Sequence, residues 1–177
     1  MTNKNTRNLV LSGLFIALGF VLPFLTMQIQ QIGAALLPMH IPVLLCGFIC
    51  GPVYGLAVGF ITPLLRSAIM HMPPIYPIAL AMAFELAAYG FLAGLFYKIF
   101  PKKPLYVYIS LTLSMLCGRI VWGLASLVLF GIKGNAFTLT LFIQGAFINA
   151  IPGIILQLVL IPLIILALQR AKFIQNN

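Results

Sequence analysis

The chain has 177 residues, of which 63% are hydrophobic and only 6% charged, and its mean hydropathy is +1.16. A soluble domain of this length cannot hide so much apolar surface, and runs such as LIPLIILAL and AALLPMHIPVLL do not alternate as the strands of a membrane β-barrel would. The net charge of +9 falls mostly at the ends of apolar segments, where membrane topology places it, so nucleic acid is not needed to explain it.

The pattern predicts an all-α membrane protein, a single integral domain over 1–177 with six transmembrane helices and both termini cytoplasmic. The spans fall at about 8–27, 34–50, 53–71, 76–98, 105–131 and 138–168. Lys4 and Arg7 followed by LVLSGLFIALGFVLPFL look superficially like a signal peptide, but the apolar run is too long and has no A-x-A site, so it reads as the first span. Within it, Gly13-x-x-x-Ala17 forms a small-x-x-x-small surface that lets another helix approach closely. Gly55 and Gly59, and again Gly90 and Gly94, repeat that spacing.

The second span is short and carries Pro38 and Pro42 in its first turns, where a missing N–H is tolerated. A hinge at Gly51-Pro52 leads into the third, which holds Arg66 deep in an apolar run and breaks at Met72-Pro73-Pro74. An arginine there must face protein, water or a ligand. The sixth span contains Pro152 and Pro162, and a kink or a break near Ile151-Pro152-Gly153 is expected. Lys4 and Arg7, then Lys98, Lys102 and Lys103, then Arg170 and Lys172 are separated by even numbers of crossings, which puts all three groups in the cytoplasm and Lys133 opposite them.

Depth follows from a rise of about 1.5 Å per residue. Arg66 lies roughly 20 Å and Arg119 roughly 21 Å from the inner side, while Glu85 lies roughly 14 Å below the outer surface. Asn149 and Gln144 reach a similar level, so four helices bring polar groups to one depth. Glu85 is the only acidic side chain and cannot neutralise two guanidinium groups. The spare arginine favours an anionic ligand, which it can grip with two parallel hydrogen bonds. Arg119 is the better partner for Glu85; Arg66, closer to the His71–Pro77 break, is the better ligand contact.

Trp122, three residues after Arg119 on the same face, reads either as an interfacial aromatic or as a pocket wall. His40 and His71 share the outer level and read either as interfacial or as binding residues, and Tyr76, Tyr89, Met70 and Met72 are further candidates to line a cavity.

Catalysis fails on inventory. There is one acid where a paired-carboxylate mechanism needs two, no H-E-x-x-H cluster, no G-x-S-x-G elbow and no aspartate to orient a histidine. Cys46, Cys50 and Cys117 lie in apolar helices without the histidines or acids that would complete a metal set. No enzyme activity, cofactor or metal is expected. With no GxxxxGK[ST] loop, any active work must be powered by a partner or a gradient.

The segments PMHIPVLLCGFICGPVYGLAVGFITPLLRS, MPPIYPIALAMAFELAAYGFLAGLFYK, GRIVWGL and GAFINAIPGIILQLVLIPLI resemble the substrate-binding S components of energy-coupling factor (ECF) transporters, and the resemblance spans essentially the whole chain. It implies a prokaryotic plasma-membrane protein that binds a small vitamin and works with a transmembrane coupling subunit and two cytoplasmic ATPases. It also implies that a small-residue motif on the first helix meets the coupling subunit; Gly13 and Ala17 match that motif, while its third small position is Val21 here. Ligands in the family bind in the outer half, under loops that correspond to Gln28–Leu37 and His71–Pro77.

A spare cation favours a carboxylate-bearing vitamin such as pantothenate over a cationic one such as thiamine, with a neutral pyridoxine- or pyrimidine-type vitamin next. A structural membrane subunit without a ligand is the alternative from another class. It is favoured if Arg66, Arg119 and Glu85 close on one another with no cavity beside them.

Overall fold

The computed structural model describes residues 4–26, 35–132, 134 and 137–173. Among them the chain consists of helices and the turns that join them, with no strand. The helices are α1 (Lys4–Val21, continued by a 3-10 turn Leu22–Thr26), α2 (His40–Cys50), α3 (Pro52–Met70), α4 (Leu80–Ile99, entered through a π-turn Ile75–Ala79), α5 (Pro104–Ile132), α6 (Leu139–Ile143, continued by a π-turn Gln144–Ile148) and α7 (Ile151–Arg170). Lys133 and most of the Gln28–Leu37 loop lie outside the described residues.

Among the described residues, five helices are long and apolar enough to cross a membrane: Lys4–Phe24, Pro52–Met70, Ile75–Ile99, Pro104–Ile132 and Ile151–Arg170. Their outward faces carry large apolar side chains, such as Leu9, Val53, Ile69, Ile120, Val128 and Val159. Only lipid or a partner protein makes such an exterior stable, so this is a multi-pass membrane protein.

Two predicted spans differ. The second, placed at 34–50, holds the described helix His40–Cys50, whose 11 residues cover only about 16 Å. Ten of them are buried, so α2 is wrapped by its neighbours and need not match the thickness of the hydrocarbon. The sixth, placed at 138–168, is two helical pieces. The π-turn closes at Ile148 and α7 begins at Ile151, with Pro152 in its first turn, where the expected break lies. The helix then runs on through Pro162.

α4 is the middle of the molecule. It packs against α2, α3 and α5, and its contact with α3 is the most extensive in the fold. The cause is glycine. A Cβ on Gly90 would stand 2.1 Å from the Gly55 carbonyl oxygen, one on Gly59 2.2 Å from that of Leu86, and one on Gly47 2.3 Å from that of Gly90. Backbones meet directly where side chains would hold them apart. The spacing at Gly55 and Gly59 and at Gly90 and Gly94 is therefore used inside the chain, whereas a Cβ on Gly13 would meet nothing within 4 Å.

α1 lies against α2 and α3 through Asn8, Ser12, Phe15 and Gly19, one stripe at helical spacing. The Asn8 side-chain amide donates to the Cys50 carbonyl at 3.2 Å. Three buried hydroxyls are satisfied within their own helices: Ser12 donates to Asn8 O, Thr62 to Val58 O and Ser114 to Leu111 O. At the far end of α7, Gln169 donates to the Tyr97 hydroxyl at 2.7 Å and ties α7 to α4.

Replacing Gly90 with alanine should force α3 and α4 apart and lower stability by about 1–3 kcal/mol, as overpacking does. Gly13→Ala should lose nothing. Thermal unfolding of the purified protein in detergent checks both, and equal melting temperatures for the two variants would count against the glycine contact as the organising seam.

Candidate functional site

The helix hub carries the only carboxylate side chain. Glu85 is 2% exposed and belongs to the buried stripe of α4 that includes Ala81, Tyr89 and Ala93. Three elements converge on it. From α5, Arg119 Nη1 donates to Glu85 Oε1 at 2.7 Å. From the first residue of α2, His40 Nε2 stands 3.4 Å from the same oxygen, and the His40 ring packs edge-on against Tyr89 at 5.2 Å between centroids. Tyr89 itself fills the notch left by Gly118, where a Cβ would meet its ring at 2.7 Å. That notch lets α5 come close enough for Arg119, the next residue, to reach Glu85.

His40 is delivered by local backbone geometry. Leu37 adopts the left-handed conformation at φ 51°, and the His40 N–H donates to its carbonyl at 3.0 Å. A buried non-glycine residue is held in that region only when its surroundings over-determine it.

The cluster is half-satisfied. Arg119 Nε and Nη2 and His40 Nδ1 are buried without a hydrogen-bond partner, and so, on a separate helix, are both amide atoms of Gln157. Gln157 lies on α7, which packs on α2 and α5, and is fully buried. Unpaired polar atoms in an apolar interior are costly, and such groups mark positions where a ligand or water completes the bonding.

Among the sequence-derived candidates, the structure brings together Glu85, Arg119 and His40. Arg66 stands apart. It has no carboxylate partner, is half-buried, and its Nε is enclosed without a hydrogen-bond partner. Seven residues beyond Gly59, which meets Leu86, it sits roughly 10 Å further toward the Met72–Pro74 break. The arginine–carboxylate pairing expected from the sequence is thus the observed one, and the three charges do not form a closed network.

Trp122 is half-buried and pinned to α6: it stacks on Phe142, meets Phe137 edge-on, and would touch a Cβ on Gly145 at 2.7 Å. His71 is exposed and ends α3 in a left-handed cap at φ 57°. Asn149 is exposed at the junction between the π-turn and α7. Gln144 is exposed as well. Around the His71–Pro77 break, Ser67 donates to the Pro73 carbonyl and Tyr76 to that of Leu129 at 2.6 Å, tying the turn to α3 and α5. Gln157 was not anticipated; its one signal is an amide interrupting the run IILQLVLI.

A sequence-family model described as "ECF transporter, substrate-specific component" matches residues 7–165. The chain belongs to that family. No curated protein and no solved structure matches it. The match takes in all seven helices at least in part and every residue of the Glu85 cluster. As an ECF substrate-specific component, the protein is a substrate-binding transport subunit rather than an enzyme, and it associates with the other components of an ECF transporter.

Glu85→Gln should leave the Arg119 guanidinium buried without a counter-charge and destabilise the subunit by about 3–5 kcal/mol. Replacing the pair together, Glu85→Leu with Arg119→Met, should recover much of that loss. Melting temperatures of the two variants decide the matter; a double variant no better than the single would remove the charge pair as the source of stability.

Proposed function

We propose that this ECF substrate-specific component captures a small vitamin or vitamin precursor in the outer half of the membrane and delivers it inward. ATP hydrolysis by two partner ATPases would drive the step through a transmembrane coupling subunit. In this reading the chain crosses a prokaryotic plasma membrane with both termini cytoplasmic. The supporting pattern is the even spacing of its basic clusters.

A carboxylate-bearing ligand of the pantothenate type is the substrate class favoured here. The observation that carries it is the use of Glu85 by Arg119, which leaves Arg66 a half-buried cation with no acid to meet it. A ligand carboxylate on Arg66 would neutralise that charge and gain bidentate hydrogen bonds. The rest of the molecule would then extend toward His40, Arg119 and Gln157, whose unpartnered donors and acceptors suit hydroxyl and amide groups. Glu85 holds that end in register, Trp122 forms a wall, and His71 and Asn149 flank the approach. A neutral pyridoxine- or pyrimidine-type ligand is the second reading. It is favoured by the Glu85–Arg119 pair, which makes the deep cluster neutral while leaving its bonding capacity open.

Arg66→Ala should weaken binding of a carboxylate vitamin by about 2–5 kcal/mol while leaving binding of its amide unchanged. Thermal-shift titration of the purified subunit with the acid and the amide tests this. Equal binding of acid and amide by the wild type hands the site to the neutral ligand.

The partner face follows from α1, where Gly13 and Ala17 are exposed beside Leu9, Val10, Leu14 and Val21. Gly13→Leu and Ala17→Leu should abolish co-purification with the coupling subunit while ligand affinity is retained. An intact complex carrying both substitutions would remove α1 as the partner surface.

A further inference from the structure

A cavity of about 370 Å³ opens at the opposite end of α4 from Glu85, between the first turns of α1, the α2–α3 hinge and the α4–α5 loop. Gly94 and Lys98 on its wall lie nine to thirteen residues past Glu85, roughly 13–20 Å along the helix. Its volume is within the range of about 300–1,000 Å³ found for small-molecule pockets. The substrate site described above does not use it.

Four cations from two separate parts of the chain line the cavity: Lys4 and Arg7 on α1, Lys98 at the end of α4, and Lys102 in the following loop. No side-chain carboxylate answers them, because the only one in the chain is committed to Arg119. Two of the four are already held in place. Lys102 donates to the Tyr97 carbonyl and sits 3.7 Å from the centre of the Tyr97 ring, and Arg7 lies over Phe173. Burial holds the Lys102 ammonium below the ordinary lysine value, the mark of a cation short of a counter-ion. The 19-residue helix α3 begins at the cavity wall and adds the positive end of its dipole.

A second observation concerns the ligand directly. Asn8 lines the same cavity at 5% exposure, and with its amide nitrogen donating to Cys50 O, its Oδ1 is buried without a donor. The cavity therefore offers several cations with a polar side chain in its wall, a lining that suits an anion.

The location selects the source. The cavity is at the common end of the spans Lys4–Phe24, Pro52–Met70, Ile75–Ile99 and Pro104–Ile132, level with lipid headgroups. Val53, Ile99 and Leu105, next to its walls in sequence, are exposed and apolar, giving acyl chains a surface to lie on. We propose that this cavity is a binding site for the headgroup of an anionic glycerophospholipid. The lipid phosphate lies among Lys4, Arg7, Lys98 and Lys102, with Asn8 in the wall beside them. Basic pockets between helices at the membrane surface hold such headgroups by these contacts.

The test is lipid retention by the purified full-length protein, read by native mass spectrometry and by melting temperature after addition of phosphatidylglycerol, phosphatidylcholine or glycerol 3-phosphate. Phosphatidylglycerol should be retained and should raise the melting temperature, while phosphatidylcholine should do neither. Arg7→Gln with Lys102→Gln should lower retention by roughly tenfold or more. Lys103→Gln with Arg170→Gln removes the same charge outside the cavity and should leave retention as in the wild type. Should the first double variant fail to fold, the exposed Lys98→Gln carries the test.

Equal losses in the two double variants would reduce the effect to diffuse charge and overturn the site. Protection by glycerol 3-phosphate equal to that by lipid would assign it to a soluble anion and overturn the membrane source. Co-purification with the coupling subunit that needs Arg7 and Lys102, without any lipid retention, would make the cavity a protein contact and overturn the proposal as well.

Discussion

One carboxylate has to serve a chain with ten lysines and arginines, and its position governs what every other charge can do. Glu85 is buried on the central helix, and a buried carboxylate in a membrane survives as an ion only with a cation and hydrogen bonds around it. Arg119 supplies both, and His40 stands beside the same oxygen. The consequence reaches beyond the pair. Arg66 on α3 is left without an acid, and so are the four cations at the other end of α4. Charge that cannot be settled within the chain has to be met by something outside it.

That placement depends on close packing. In lipid no hydrophobic force draws helices together, so they approach where small residues allow contact between backbones. Gly47, Gly55, Gly59 and Gly90 bring α2, α3 and α4 within van der Waals reach of one another's carbonyls. Short α2 is enclosed as a result, and its first residue, His40, is carried to Glu85. The same spacing at Gly13 and Ala17 meets nothing inside the molecule. Identical motifs therefore have two uses, one already satisfied by the fold and one facing outward.

Much of the helical plan was legible because it rests on hydropathy and length, which act locally. The boundaries of α1, α3 and α5 fall within a few residues of the apolar runs, and the break before Pro152 follows from the missing N–H of proline. The enclosure of α2 was not legible, since the sequence of a buried helix and of a lipid-facing one are equally apolar. At the site, the sequence brought Glu85, Arg66 and Arg119 to one level, and only the nearness of Arg66 to the His71–Pro77 break favoured Arg119 as the partner of Glu85. The exposure of Asn149 was not legible, because a π-turn leads into it and nothing in the residue types announces one. Gln157 was hidden for a different reason: a neutral amide among leucines and isoleucines carries no charge to be balanced, and only its burial without partners reveals it.

The two ends of α4 handle polarity in opposite ways, and the contrast has a physical basis. Around Glu85 the carboxylate is met within the chain by Arg119, and the buried bonding capacity left on Arg119 and His40 is of the kind that would distinguish one small molecule from another by shape and hydrogen bonds. At the Lys4–Lys102 end no side-chain carboxylate cancels the cations, which stand at the common end of the spans. Uncancelled charge at a boundary attracts any suitable anion over a Debye length and discriminates weakly, whereas neutral, dry bonding groups attract little at distance and discriminate well. A transport subunit needs both properties but not in one place. Selective capture belongs where water is excluded, and anchoring belongs at the membrane surface. Under the two proposals made here, the single carboxylate, by settling one end and not the other, would keep those two tasks apart.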